Sequence, residues 1–320
     1  MGPVIPRILS SELHTHPFPY FASDNVVSSA YLDEIKSNWP ALEKFTKTDG
    51  YGYYVLPIDA PHLLQNLQPA QSVFWEEFSN NAMLQIVYGS LAKYAEFIFD
   101  RYGPELDRVE IVNLFLCESD DEFYAAGAHN HSHDPTWLFT NLVYINDGGS
   151  SIRGSQLYDF DGDIPNTESP LLDVLAGTPC GNRPDGLSPA RYIDFVPGRM
   201  ISFFETPFSY HGSEPVTKED LVKQGPARKP RRMIRMHVRA PLEFCEKFYN
   251  IGIDEYRPKK LSGEANATTI GWLRDDLSCY QRSLEKSSSD LSPGMLDYIS
   301  SLDIKWVTGR ERDISRYRDL

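Results

Sequence analysis

The 320-residue chain reads as a mainly β fold with flanking helices, a sandwich of the jelly-roll type. Three observations predict it. Short stretches rich in β-branched and aromatic residues, separated by Gly/Pro turns, run from residue 108 to residue 239. Helical periodicity is confined to the segments before and after them. Three alternating histidines, His129, His131 and His133, stand just ahead of one apolar stretch, and a further histidine, His211, follows another.

Taken in order, residues 14–45 read as a short strand or loop and then a helix. Ser28 or Ser29 can cap that helix, with Leu32, Ile35 and Trp39 on one face. Residues 69–103 carry helical periodicity, with Phe74, Phe78, Leu84, Leu91, Tyr94 and Ile98 as core positions and Gly103 as the stop. Residues 108–117 (RVEIVNLFLC) and 136–146 (TWLFTNLVYIN) predict buried strands. Residues 154–160, 192–196, 199–205 and 231–239 continue the series. The Pro-, Gly- and Asp-rich stretch 161–190 predicts a long loop of the kind that serves as a lid or specificity element. Residues 269–285 and 293–302 predict helices. The organisation expected is a domain over 1–240, with the jelly-roll core starting at about 105, and a C-terminal helical extension over 241–320 packed on it.

Composition narrows the function classes. Apolar residues make up 41% and charged residues 24%, ordinary values for a globular domain. The formal net charge of −14 argues against nucleic acid or an anionic membrane surface as a partner, because both reward clustered Lys and Arg. No apolar run approaches the roughly 18 residues of a membrane span. No charged-then-apolar signal segment is evident over Met1–Leu13. The four cysteines, Cys117, Cys180, Cys245 and Cys279, are far apart, and free thiols in a reducing cytoplasm are the expectation. A small-molecule partner fits these bounds, which also leave room for a homodimer.

The histidines carry the chemistry. On an extended strand, side chains at i and i+2 share a face, so His131 and His133 converge and a third ligand from a distant strand completes a three-point metal site. His211, followed by Gly212 after the RMISFFE strand, is that third candidate. Imidazole suits Fe, Zn, Cu and Ni alike, so ligand type alone does not select the metal. His129 shares the face and is placed to contact a substrate or to stand behind the ligands.

With these residues in view, the sequence resembles the iron(II)- and 2-oxoglutarate-dependent oxygenases, in their prolyl-hydroxylase-like branch. The resemblance rests on an ordered set over roughly residues 17–240. It comprises Pro17-Phe18-Pro19-Tyr20-Phe21, the His131-Ser132-His133 triplet, Thr140–Asn146 ending in Tyr144-Ile145-Asn146, and Gly148-Gly149 with Gly154-Ser155-Gln156-Leu157. Pro197-Gly198-Arg199 with Met200–Phe204, Ser209-Tyr210-His211-Gly212 and Arg231-Arg232 complete it. Pro135 lies four and Tyr144 thirteen residues beyond His131, the spacing in many relatives, which puts the first ligand at His131. His133 then stands where that branch has an aspartate, and no H-x-D occurs in the chain. Asp134, swung inward by a bend before Pro135, is the alternative second ligand.

The resemblance implies a double-stranded β-helix (a jelly roll, cupin-like), Fe(II) held by His131, His133 and His211, and 2-oxoglutarate as co-substrate. An arginine should hold the distal carboxylate of the keto acid, since guanidinium pairs bidentately with carboxylate. Arg231 is the first candidate and Arg232 the second, because only one of two neighbours on a strand faces inward. Tyr124 can bond the same carboxylate, and Asn113 and Tyr144 are inward candidates from neighbouring strands. The implied function is oxidation, by hydroxylation as the default, of a small amino-acid-like or natural-product substrate with O2. A three-histidine metal oxygenase that needs no 2-oxoglutarate and a non-catalytic metal-binding relative are the other readings.

Overall fold

The computed structural model describes residues 4–48, 53–59, 64–119, 128–131, 136–146, 154–160, 186–206, 208–213, 230–249 and 293–306. Helix α1 (Val4–Ser10) precedes the short strands β1 (Leu13–His14) and β2 (Tyr20–Ser23). Helix α2 (Ser29–Ser37) starts where its sequence says it should: the Ser28 side chain accepts the Tyr31 N–H and satisfies one of the otherwise orphaned donors of the first turn. After β3 (Thr46–Lys47) and β4 (Tyr53–Pro57) comes the predicted helical region. It divides into α3 (Pro69–Phe78), a π-helical turn over Ser79–Met83, α4 (Leu84–Lys93) and α5 (Ala95–Tyr102). Gly103, at φ 66°, ends it in the left-handed conformation that glycine adopts without cost. Of the core positions expected there, Phe78, Leu91, Tyr94 and Ile98 are buried and Phe74 and Leu84 half-buried.

The strands follow. They are β5 (Arg108–Ser119), β6 (Trp137–Tyr144), β7 (Ser155–Phe160), β8 (Leu187–Ile193), β9 (Met200–Phe204), β10 (His211–Ser213) and β11 (Arg232–Arg239). Strand β8 corrects one boundary. It begins inside the stretch expected to be loop and ends at Ile193, because Leu187–Ile193 pairs antiparallel with β7 over its whole length. Residues 161–185 lie outside the described residues, as does the helix expected over 269–285. Helices α6 (Leu242–Tyr249) and α7 (Pro293–Ser301) lead to β12 (Asp303–Trp306), which joins β5 in parallel.

The strands form two sheets. The larger runs β1-β2-β9-β6-β11-β5-β4-β3, with β12 on the edge of β5; the smaller runs β10-β7-β8. The order β5-β11-β6-β9 opposite β10-β7-β8, the latter bordered by the 128–131 segment through an antiparallel bridge, is the alternation of a double-stranded β-helix.

Alternation along each strand divides the larger sheet's side chains between two cores. One face, with Phe139, Val143, Phe204, Ile234, Met236 and Val238, packs on the helices, where Trp75, Tyr94 and Ile98 are fully buried. The C-terminal elements join this layer: Phe244 of α6 meets the ring of Tyr102, and Tyr298 of α7 meets Phe99. The opposite face, with Leu142, Tyr144, Ile201 and Phe203, packs on Leu157, Tyr158 and Leu187 of the smaller sheet. The cavity that concerns function opens between these two sheets. Cys117 is a buried free thiol, and Cys245 is buried as well. Among the described residues, no helix is long and apolar enough to cross a membrane.

Candidate metal centre

The backbone brings the histidines together. His129 and His211 exchange both backbone hydrogen bonds, each N–H donating to the other's carbonyl at 2.9 Å. Two residues bonded in this way face each other directly across an antiparallel pair, and their side chains leave on the same side. Their ring centroids lie 4.4 Å apart. His131, two residues after His129, returns to that side, with its ring 5.3 Å from His129 and 4.8 Å from His211. One ligand nitrogen from each of the three rings can be chosen so that all lie within 4.8 Å of one another.

The hydrogen bonds select which nitrogens are available. The Nδ1 of His211 donates to the carbonyl of Ser209 at 2.8 Å, and the Nδ1 of His131 is 2.7 Å from Oε1 of Glu205. With both Nδ1 atoms engaged as donors, the Nε2 lone pairs remain for a metal. Burial, reinforced by the neighbouring His129, holds the His211 imidazole well below its ordinary pKa and so in the neutral form that ligation needs. The donor set fits a divalent transition ion: three neutral imidazoles, two of them fixed in orientation by a hydrogen bond behind the ring.

A buried polar cluster stands behind His131. Glu205, just past the end of β9, is 4% exposed, and burial pushes its carboxyl up to about 8 against the pull of the Thr140 hydroxyl and Arg101. Its Oε1 accepts from Thr140 Oγ1 as well as from His131. Thr140 in turn meets Nδ1 of His237 at 2.7 Å, and the His237 ring stacks on Trp137 with centroids 4.2 Å apart. Arg101 donates to the backbone carbonyls of Glu205 and Trp137. His237 is therefore a satisfied core histidine.

The three rings open onto a cavity of about 80 Å³, which is lined further by Thr140, Leu142, Phe203, Met233, Arg231 and Arg235. Arg231 lies over the rings of Tyr144 and Phe195, and the Tyr144 hydroxyl meets Ser155 Oγ at 2.6 Å. Arg235 donates to the Tyr53 hydroxyl at 2.8 Å and lies over Phe115. Arg232 points elsewhere: its Nε donates to Glu118 at 2.9 Å and its guanidinium covers Trp39.

The structure thus brings His131, His211, Arg231 and Tyr144 into one neighbourhood and adds His129 to the histidine group. His133, Asp134 and Tyr124 lie outside the described residues. Asn113 does not line the cavity; it occupies an irregularity of β5 at φ 57°. Glu205 and Arg235 were not anticipated. A signal for Arg235 was present, since residues 231, 233 and 235 share a strand face. Nothing in FFETPFSYH distinguishes Glu205 from a solvated acid at a strand end.

No family model matches the chain, and no curated protein matches it. Solved structures similar to it include a prolyl-4-hydroxylase from Pseudomonas putida (TM-score 0.38, 11% identity, 74% of this chain and 97% of that one). A prolyl hydroxylase from Trichoplax adhaerens, in complex with a hypoxia inducible factor oxygen degradation domain peptide fragment, gives a TM-score of 0.39 at 8% identity over 80% of this chain and 90% of that one. HygX from Streptomyces hygroscopicus, with nickel, 2-oxoglutarate and hygromycin B bound, gives 0.38 at 14% identity over 69% and 82%.

Proposed function

We propose that the chain is a non-haem iron(II)-dependent oxygenase that uses 2-oxoglutarate and O2 to hydroxylate, or otherwise oxidise, a small amino-acid-like or natural-product substrate. One observation carries this reading: a single cavity joins three converging imidazoles, His129, His131 and His211, to a guanidinium, Arg231. A chelating keto acid needs these two things, an open-sided metal and a cation for its far carboxylate.

Each residue has a definite task in this reading. His129, His131 and His211 present nitrogen donors from two backbone segments paired at His129 and His211, which holds them side by side. Arg231, lying over the rings of Tyr144 and Phe195, offers the planar fork that pairs with a carboxylate. Leu142, Phe203 and Met233 line the same space with apolar surface that excludes water. Bound iron supplies the activation of O2 that couples loss of CO2 from the keto acid to substrate oxidation. Arg235 adds a second cation, so the cavity favours anionic occupants.

The test is an anaerobic titration of the purified chain with Fe(II) and 2-oxoglutarate, followed by admission of O2. A visible metal-to-ligand charge-transfer band, and succinate formed with turnover, are the expected results. His129→Ala and His211→Ala should abolish the band, whereas His133→Ala should leave it in place. Retention of the band in His129→Ala with loss in His133→Ala would move the ligand set two residues along the chain.

The alternative is a three-histidine oxygenase that needs no 2-oxoglutarate. The absence of a carboxylate among the three converging donors favours it. O2 consumption with an oxidised product and no succinate would decide for it.

A further inference from the structure

The ligand set His129, His131 and His211 contains no carboxylate, yet one stands directly behind it. We propose that Glu205 is a positioning residue of the metal centre, supplying through His131 the negative charge that the ligands themselves lack. The inference rests on the reading of these three histidines as metal ligands.

The geometry is specific. Glu205 Oε1 is 2.7 Å from Nδ1 of His131. A carboxylate there fixes the ring, leaves the Nε2 lone pair for a metal and makes the ring a stronger donor to a cation. Three neutral imidazoles compensate none of a divalent ion's charge, and among the described residues Glu205 places a buried anion one ring away.

Its cost shows that Glu205 is not there for packing alone. The carboxyl is fully desolvated, and its Oε2 has no hydrogen-bond partner. A buried acid in that state lowers stability unless a cation or a set of donors answers it. The residue is nonetheless held in place from two directions. Arg101 binds its backbone carbonyl, and the Thr140 hydroxyl, itself bonded to His237, binds Oε1 beside the His131 nitrogen.

His131, Glu205 and His237 also lie close enough to be considered as a separate metal cluster. The Thr140 hydroxyl bridges Glu205 and His237, however, so both are already hydrogen-bonded to each other through it. The carboxylate therefore serves the imidazole, and through it the site in the cavity.

The experiment measures Co(II) affinity of the full metal-free chain by competition with a chelator, together with the visible Co(II) spectrum. Glu205→Gln keeps the size and an acceptor oxygen but removes the charge, and should weaken Co(II) binding by about 10- to 100-fold. Glu205→Asp, which keeps the charge, should recover part of that loss. Wild-type affinity in Glu205→Gln, while His129→Ala and His211→Ala lose the ion, overturns the role of Glu205 and leaves the ligand reading standing. Wild-type affinity in His129→Ala and His211→Ala overturns both. A second measurement needs no variant. In the wild-type chain loaded with Zn(II), nitrogen NMR should find His131 protonated at Nδ1 and metal-bound at Nε2, and the reverse tautomer overturns the proposal.

Discussion

Neighbouring residues on a strand face opposite ways, and Arg231 and Arg232 show how far that separates two identical side chains. Arg231 enters the cavity, over Tyr144 and Phe195. Arg232 turns to Glu118, whose Oε2 also accepts the Trp39 indole N–H at 2.7 Å. Replacing each with methionine should therefore give opposite results. Arg231→Met should weaken binding of 2-oxoglutarate to the metal-loaded chain by about 10- to 100-fold, the value of one or two charge-assisted hydrogen bonds, and leave urea stability nearly unchanged. Arg232→Met should bind the keto acid within a few-fold of wild type but lose roughly 1–3 kcal/mol of stability, because Glu118 keeps its burial and loses its cation. Calorimetric titration and urea melts read the two effects separately; a stability loss in Arg231→Met with normal binding would reassign the pair. The sequence allows only one of the two arginines to face inward and does not say which, since that parity is set by the pairing of β11. The histidines pose the same problem. Alternation puts 129, 131 and 133 on one side, and only the cross-strand register decides which of them meets His211, some 80 residues away in the chain.

The element that aims the cavity wall is β5, and it does so by breaking its own alternation. Before Asn113, the odd-numbered Val109 and Ile111 face the helices; after it, the even-numbered Leu114 and Leu116 do, while Phe115 and Cys117 turn to the other side. One extra residue is responsible. Arg235 pairs with Phe115 but His237 with Val112, so β5 takes three steps where β11 takes two. Such a bulge needs a residue that tolerates unusual backbone angles, and Asn113, at φ 57°, is of the type that visits the left-handed region most readily after glycine. Asp59 fastens the irregularity by accepting the Leu114 N–H at 3.0 Å. Asn113→Val should cost about 1–2 kcal/mol from backbone strain alone, whereas Asn113→Gly should stay close to wild type. Thermal melts of the two variants check this, and equal stabilities would show that the position carries no strain. Strands β5, β6, β9 and β11 were legible because their β-branched and aromatic runs are long and bounded by turn residues. The bulge was not, since RVEIVNLFLC is apolar on both faces and shows no change of parity. Strands β4 and β12 went unanticipated for a related reason: four or five residues, one strand ending at Pro57, give too short a pattern to count.

Across the whole molecule, two buried groups at the candidate metal site tie stability to pH with opposite signs. Glu205 is raised from an ordinary carboxyl value of 4.5 to about 8, so the folded metal-free chain holds a proton there that the unfolded chain releases. A group of this kind contributes stability in full below the unfolded pKa and loses it as pH rises toward the folded value. His211 is shifted down from 6.5, so the unfolded chain binds a proton that the folded one refuses, and stability falls as pH drops below 6.5. Below pH 6.5 the two slopes oppose each other. Well above it His211 is neutral in both states and, of the two, only Glu205 still carries a slope, at roughly 1.4 kcal/mol per pH unit at most. The metal-free chain should therefore lose on the order of 1 kcal/mol between pH 6.5 and 8. Glu205→Gln, which cannot titrate, should be flat over that interval. Adding Zn(II) to the wild type should flatten it as well, because a cation on the far side of His131 favours the carboxylate and removes the proton difference from the folded state. Urea melts at half-unit pH steps provide the comparison. A decline that persists unchanged in Glu205→Gln would place its source in some other buried acid and leave the carboxyl behind His131 already ionised without metal.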